Sequence, residues 1–374
     1  MTIRKIRTES GTPFPKEQWT VAGENGAVMA HGSFATIESM YAGNYIRSLA
    51  VGGLGTEPQY RRRGCVRLMF EEAFARAGEE GWAVAFLHPF SFSYYRQFGF
   101  EKVSDHRIVE FPMSAIGYIE RCADLTPFGS LTQAQDLLDI YEAFSRGRNI
   151  MFRRYGAGLF SQVSGGGKPG TYIWYDAQGK PASYITLSVE NEFHINRMRS
   201  INLHVYEMAF TSPQSLRALF GFIRMYEGEL ETVKIHNCTM SPEIDMVLSR
   251  YTHTSYTDVP DVMARILDTG AMLRANRYPL ESGRFVLKAV DPSGPGGGVF
   301  RVEYGGGEAL VEKLPDASGF NIAAEIPSLT QMLYGYSNYH PENAAYLRGV
   351  ELKTPARDFF RAFPKRENGL FEHF

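Results

Sequence analysis

The sequence contains few cysteines and no pattern that joins them. Among its 374 residues, Cys65, Cys122 and Cys238 lie far apart, with no CxxC pair and no Cys/His cluster. Such spacing argues against a structural zinc site and against an extracellular disulfide framework. We therefore expect a chain that works in the reducing cytoplasm without a metal cofactor.

Long apolar runs and an excess of one charge are also missing. No apolar run approaches the roughly 18 residues of a membrane span, and the amino terminus MTIRKIRTES lacks the apolar core of a signal peptide. The 39 Lys and Arg residues nearly balance the 41 Asp and Glu residues, so no global field attracts nucleic acid or an anionic membrane. We expect neither partner, and any anion site must be local.

The composition is that of a folded chain, because 44% of the residues are hydrophobic and 21% are charged. At roughly 150 residues per domain, the length predicts two to three domains. Strand and helix patterns are intermixed along the chain, which indicates an α/β (α+β) fold. The predicted parts are residues 1–120, 121–270 and 271–374.

Several elements are predicted from local patterns. Turn signals separate three strands at 19–22, 27–37 and 46–56, and a helix is predicted over 133–145. Ser212 precedes Pro213 as the N-cap of a helix that extends to Tyr226. The last part is expected to form strands, followed by helices over 328–336 and 341–349.

The stretch from Leu54 to Trp82 is the most informative. Apolar residues recur at helical spacing, with charged residues on the other face: Val66, Met69, Phe70, Ala73, Phe74 and Ala77. The turn Arg61-Arg62-Arg63-Gly64 precedes this helix, so that four arginines, including Arg67, meet unpaired N–H groups and the positive helix end. This combination suits a polyphosphate, whereas a solvated charge run and a nucleic-acid patch are the alternatives. Neither GxxxxGK[ST] nor GxGxxG is present.

An apolar strand at 83–87 follows the helix and leads to the segment His88-Pro89-Phe90-Ser91-Phe92-Ser93-Tyr94-Tyr95-Arg96-Gln97-Phe98-Gly99-Phe100. With the arginine turn, this order resembles the GNAT acetyltransferases, whose [QR]xxGx[GA] motif cradles the pyrophosphate of acetyl-coenzyme A. Val66 stands where that motif often has a small residue.

Within that superfamily the sequence is similar to the Eis (enhanced intracellular survival) group, which acetylates amines including aminoglycosides. The similar segments are TEPQYRRRG from Thr56, YRQFGF from Tyr95 and MARILD from Met263. The resemblance implies tandem mixed sheets flanked by helices, with an acetyltransferase domain in residues 1–120 and a second, degenerate one in 121–270. It also implies a sterol-carrier-protein-like (SCP2-like) domain in 271–374 and a homohexamer.

The resemblance implies particular cofactor contacts. Leu54, Gly55 and Thr56 would pair with the pantetheine amides where the fourth strand separates from the fifth. The pyrophosphate would be surrounded by the turn and first helical residues, which are Arg62, Arg63, Gly64, Cys65, Val66 and Arg67. Phe90 and Ser91 would complete the thioester pocket.

Tyr95 occupies the general-acid position of the group. A phenol, whose ordinary pKa is about 10, is able to protonate a departing coenzyme thiolate. The alternative is a core aromatic side chain, as expected for Tyr94. Direct transfer needs no covalent intermediate, and Cys65 lies in the phosphate turn, which disfavours it as a nucleophile.

The carboxyl-terminal tail FFRAFPKRENGLFEHF contains five phenylalanines and is expected to dock on the fold. In the Eis group the chain ends in Phe, and its α-carboxylate accepts the proton of the amine, which assigns the base to Phe374. The alternatives are that Phe374 only fills an apolar groove, or that Glu372 or His373 is the base.

Only about eleven residues, 8–18, separate the first two predicted strands, where the superfamily usually inserts two helices that wall the acceptor cleft. The cleft is therefore expected to admit bulky polyamines or lysine side chains as well as aminoglycosides. Two functions remain open: an acetyl-coenzyme A dependent N-acetyltransferase, and a non-catalytic protein that senses coenzyme A or binds an apolar ligand in the SCP2-like domain.

Overall fold

The computed structural model describes residues 1–8, 13–130, 132–156, 170–193, 199–228, 230, 232–236, 238, 241–248, 253–354, 356–372 and 374. The chain divides into two compact units. Unit 1 comprises residues 1–104, 148–153 and 261–374, and unit 2 comprises residues 105–147 and 154–260. The three-part division at about 120 and 270 stays a prediction.

The first sheet of unit 1 is formed mainly by the amino-terminal part of the chain. Its strand order is β1-β2-β3-β4-β5-β14-β6. The strands are β1 (Thr2–Thr8), β2 (Lys16–Ala22), β3 (Val28–Tyr41), β4 (Asn44–Thr56), β5 (Val84–Leu87), β6 (Glu101–Lys102) and β14 (Met263–Ile266). Strands β1 to β4 form an antiparallel meander, and β4 pairs with β5 in parallel. The strands predicted at 19–22, 27–37 and 46–56 are confirmed.

The crossover from β4 to β5 is the helix α1 (Cys65–Glu80). All six residues of the predicted apolar stripe are buried, together with Cys65. They pack in one core cluster with Trp19, Leu49 and Ala85 of the sheet, which confirms the amphipathic helix. The helix α2 (Phe92–Arg96) follows β5.

The second sheet of unit 1 has the order β17-β16-β15-β18-β19. Its strands are β15 (Gly283–Val290), β16 (Gly298–Gly305), β17 (Glu308–Leu314), β18 (Ile322–Glu325) and β19 (Val350–Leu352). The accompanying helices are α6 (Thr269–Ala275), α7 (Ile326–Leu333), α8 (Pro341–Ala344) and α9 (Arg357–Ala362). The prediction of a helix through Gly349 is wrong beyond Ala344, because the chain turns there and Gly349 adopts a positive φ of 70°.

Unit 2 contains one sheet of order β13-β7-β12-β11-β10-β9-β8. Its strands are β7 (Asp105–Pro112), β8 (Leu125–Pro127), β9 (Gly170–Tyr175), β10 (Pro181–Phe193), β11 (Arg199–Phe210), β12 (Thr232–Ile235) and β13 (Ser255–Pro260), and its helices are α3 (Thr132–Ser145), α4 (Pro213–Ile223) and α5 (Glu243–Val247). Ser212 caps α4 as predicted.

Within the described part of the chain, no helix combines the length and the apolar character that crossing a membrane requires.

Candidate functional site

The site of unit 1 starts where β4 and β5 separate. The two strands pair from Ser48 opposite Val84 to Val51 opposite Leu87. Strand β4 then continues without β5 through residues 52–56, and its register with β3 shifts there as in a β-bulge. The predicted pantetheine-binding residues Leu54, Gly55 and Thr56 therefore lie on the separated end of β4.

The amino terminus of α1 lies directly after this strand end and its short connection. Gly64 is the N-cap residue with a φ of 81°, in the left-handed region that favours glycine, and no side chain caps the helix. The first backbone N–H groups of α1 therefore remain available to an external acceptor. Arg62 also adopts a left-handed φ of 61°.

The arginines around this helix end are exposed. The Arg63 guanidinium lies 5.4 Å from the ring centre of Tyr60, and that of Arg67 lies 5.5 Å from the ring centre of Phe98. No ion pair joins Arg61, Arg62, Arg63 or Arg67 to a described carboxylate. Their positive charge is uncompensated beside free N–H groups, which is an arrangement that binds phosphate.

The corresponding helix of unit 2 differs at its start. The Ser212 side chain accepts a hydrogen bond from the Ser215 N–H, and the Ser215 hydroxyl accepts one from the Ser212 N–H. Pro213, the first helical residue, lacks an N–H. Side chains of the protein thus already bind N–H groups at the start of α4, whereas no side chain caps the start of α1.

Tyr95 lies in α2 with only 3% of its surface exposed. Its ring packs against the rings of Phe70, Phe90, Tyr94 and Phe100. Burial, and secondarily Tyr94, raise the pKa of Tyr95 to about 12. The phenol therefore stays protonated at neutral pH, and no described residue is hydrogen-bonded to its hydroxyl group.

Phe90 and Ser91 stand between β5 and Tyr95. Phe90 is 72% exposed, and its ring centre lies 5.3 Å from that of Tyr95. The Ser91 hydroxyl accepts a hydrogen bond from the Tyr94 N–H and caps α2. Cys65 and Val66 of the turn point into the core, so only their backbone faces the helix end.

The last residue of the chain lies against β4. A Cβ atom on Gly52 would stand 2.6 Å from the carboxyl carbon of Phe374, so the close approach of the tail requires glycine there. The Phe374 ring lies 4.9 Å from that of His88 and 5.1 Å from that of Phe152. The terminal carboxylate is therefore placed beside the separated end of β4.

Buried amides hold the tail upstream of this point. Asn368 donates hydrogen bonds to the carbonyl oxygens of Val103 and Tyr334, each at 3.0 Å. Asn149 donates to the Asn368 side chain at 3.0 Å, and its backbone bonds with Glu367 and Gly369. His373 lies outside the described residues.

No role was predicted for His88, Gly52 or Asn149 from the sequence. A signal was present for His88, since a histidine directly after the fifth strand stands at the strand end where such sites form. No local pattern marks Gly52 or Asn149, whose contacts are with the distant tail. Across the described ranges, no cluster of three or more His, Cys, Asp or Glu side chains is arranged to hold a metal.

Comparison with protein families gives two matches. Residues 5–103 and residues 155–266 match two family models, each described as an acetyltransferase (GNAT) domain. No curated protein matches the chain.

Solved structures share the fold. A GCN5-related N-acetyltransferase from Anabaena variabilis has 17% identity and a TM-score of 0.80, covering 96% of this chain and 89% of that one. A probable N-acyltransferase from Enterococcus faecalis has 17% identity and a TM-score of 0.81, covering all of both chains. Eis1 from Mycobacterium abscessus has 14% identity and a TM-score of 0.78, covering 96% and 90%. The predicted α/β class with mixed sheets flanked by helices is confirmed.

Proposed function

Because the chain is an acyltransferase with two GNAT domains, residues 5–103 and 155–266, we propose that it transfers the acetyl group of acetyl-coenzyme A to a primary amine. GNAT domains use acetyl-coenzyme A as co-substrate. The reaction is assigned to unit 1, since α1 keeps its N–H groups and arginines available and α4 is capped by Ser212. Arg62, Arg63 and Arg67 would hold the pyrophosphate.

One observation carries the proposal: the carboxyl group of Phe374 lies over Gly52, at the separated end of β4. The acetyl thioester supplies the electrophilic carbonyl. The Phe374 carboxylate, directly or through a water molecule, accepts the proton that the amine loses on attack. Tyr95 follows the neighbouring strand β5, and its phenol supplies the proton that the departing thiolate needs.

The pKa of Tyr95 fits this role. A phenol with a pKa of about 12 is fully protonated at the pH where a free amine is present, so it acts as an acid and not as a base. Its proton passes to the thiolate in the same step that breaks the carbon–sulfur bond.

The proposed acceptors are aminoglycosides, polyamines or lysine side chains. Strand β1 ends at Thr8 and pairs directly with β2, which starts at Lys16, and the described residues 13–15 between them form no helix. A cleft with so short a connection has room for bulky amines. A homohexamer, an SCP2-like domain in residues 271–374 and a degenerate second domain belong to the same proposal.

Replacing Arg67 or Arg63 by Gln is expected to raise the KM for acetyl-coenzyme A about 10- to 100-fold each, because each change removes a charged hydrogen bond worth ~1.5–3 kcal/mol. Thiol release is measured at several acetyl-coenzyme A and salt concentrations. Arg217→Gln, at an exposed position of α4, is the control. Equal KM values for Arg67→Gln and Arg217→Gln would place the pyrophosphate elsewhere.

Tyr95→Phe tests the acid. We expect kcat to fall about 10²-fold, the lower end of the range for a lost general acid, because water is able to protonate a thiolate slowly. The KM for acetyl-coenzyme A should stay constant, since only the hydroxyl group is removed. Thiol release over a panel of amines measures both, and Tyr94→Phe is the matched control. Unchanged kcat in Tyr95→Phe would reject the assignment.

A further inference from the structure

His88 connects two segments that are far apart in the sequence. It follows the end of β5 directly, and its imidazole lies between Asp261 and the carboxyl-terminal tail. Its Nδ1 atom is 2.9 Å from Oδ1 of Asp261, and its Nε2 atom is 3.1 Å from the backbone carbonyl oxygen of Glu372. Both ring nitrogens are thus within hydrogen-bond distance of oxygen atoms.

The chemistry of these partners determines where the protons are. A backbone carbonyl oxygen only accepts, so Nε2 of His88 must carry a hydrogen. The carboxylate of Asp261 also only accepts, so Nδ1 must carry one as well. An imidazole ring with both hydrogens is a cation, and the Asp261 carboxylate balances its charge. A neutral His88 would turn the lone pair of one ring nitrogen toward one of these two oxygen atoms.

Asp261 provides a fixed support for this arrangement. Its backbone N–H donates to the Ser104 carbonyl oxygen at 3.2 Å, and two residues later the chain enters β14, which lies inside the first sheet. Glu372 precedes the last residue by two positions, and the Phe374 ring packs on the His88 ring. The contact between His88 and the tail therefore lies next to the terminal carboxylate.

We propose that His88 is a positioning residue: as an imidazolium held by Asp261, it binds the Glu372 carbonyl and keeps the terminal carboxylate over Gly52. The proposal rests on the proposed function, in which that carboxylate is the base. His88 transfers no proton to the substrate. The Asp261 carboxylate is a charged group in direct contact with His88.

We call the contacts of His88 with Asp261 and with the Glu372 carbonyl the clamp. The clamp predicts a particular pattern of activities. His88→Ala should lower kcat about 10²-fold, as expected for a displaced catalytic group, with the KM for acetyl-coenzyme A unchanged. His88→Gln should restore much of this loss, because its side-chain amide is able to donate to the Glu372 carbonyl in place of Nε2. His340→Ala, at another histidine paired with a carboxylate on the surface, is the control.

Asp261→Asn separates the charge from the geometry. The Asn amide is able to donate to Nδ1, so that a neutral His88 keeps its hydrogen on Nε2 and still holds the tail. We expect Asp261→Asn to keep most of the wild-type kcat, and Asp261→Ala, which leaves Nδ1 of His88 without this partner, to lower kcat as His88→Ala does. A wild-type kcat in Asp261→Ala would contradict the clamp.

A second measurement is independent of catalysis. Carboxypeptidase A removes a terminal Phe from a flexible chain, so the rate of Phe374 release reports how firmly the tail is held. We expect release to be at least about tenfold faster in His88→Ala than in wild type and His340→Ala. A synthetic peptide with the same last residues gives the release rate of an unrestrained tail.

The two measurements separate the clamp from the function. An unchanged release rate in His88→Ala overturns the clamp, whatever the activity of the variant. Faster release together with undiminished acetylation supports the clamp and rejects the terminal carboxylate as the base. Faster release together with a lower kcat supports both. Equal unfolding temperatures of His88→Ala and wild type show that these differences do not come from misfolding.

Discussion

An enzyme whose chain ends in Phe374 carboxamide is expected to lose about 10²–10⁴-fold in kcat, the contribution of a general base in the transition state. The amide has nearly the same shape as the carboxylate but accepts no proton from an amine. Expressed protein ligation produces this chain, and an amino-terminal tag leaves the other end free. Thiol release from acetyl-coenzyme A over an amine panel measures the loss.

Matched variants separate charge from packing at the same position. Phe374→Tyr keeps the carboxylate and a large ring, and should retain most of the activity. One added glycine moves the carboxylate away from Gly52 and should be as damaging as the amide. If the carboxamide enzyme acetylates amines at the wild-type rate, Phe374 only fills a groove and the base lies elsewhere.

Asp291→Ala is expected to lower the free energy of unfolding of unit 1 by about 3–5 kcal/mol. Asp291 accepts hydrogen bonds from Arg265 at 2.7 and 2.8 Å, and the two side chains are 2% and 1% exposed. Removing the carboxylate leaves a buried guanidinium without a counter-charge. Arg265 also donates to the Phe98 carbonyl oxygen at 2.6 Å, so the turn after Tyr95 should loosen.

Urea unfolding followed by tryptophan fluorescence measures this change. Glu312→Ala breaks the pair between Glu312 and Arg301, whose side chains are 54% and 47% exposed, and should lower stability by less than about 1 kcal/mol. The double variant Arg265→Met, Asp291→Leu should recover most of the loss, because no charge stays buried. If the effect of Asp291→Ala is no larger than that of Glu312→Ala, Arg265 is solvated in solution.

Local patterns in the sequence predicted what depends on neighbouring residues. The spacing from Val66 to Ala77 determines which face of α1 is buried, and the Ser212-Pro213 pair marks the start of α4. The position of the arginine turn follows from the strand before it and the helix after it. These features need no knowledge of the rest of the chain.

Contacts between distant segments could not be predicted in this way. The four residues of β14 belong to the segment MARILD, and nothing in that segment predicts that they pair with β5 and β6 inside the first sheet. Asn149 belongs to unit 1 although the chain on both sides of residues 148–153 belongs to unit 2. Such pairings depend on complementary backbone edges, which side-chain periodicity does not encode.

The position of β14 also bears on how the protein is made. Strand β5 is synthesised long before residues 263–266, its hydrogen-bonding partner. During translation the nascent sheet has an open slot between β5 and β6, and unpaired strand edges favour aggregation. The acetyltransferase sheet therefore closes only after the whole of unit 2 has left the ribosome. A fragment that stops at residue 104 should be insoluble or dependent on chaperones, even though it contains all of residues 5–103, which match an acetyltransferase (GNAT) domain model.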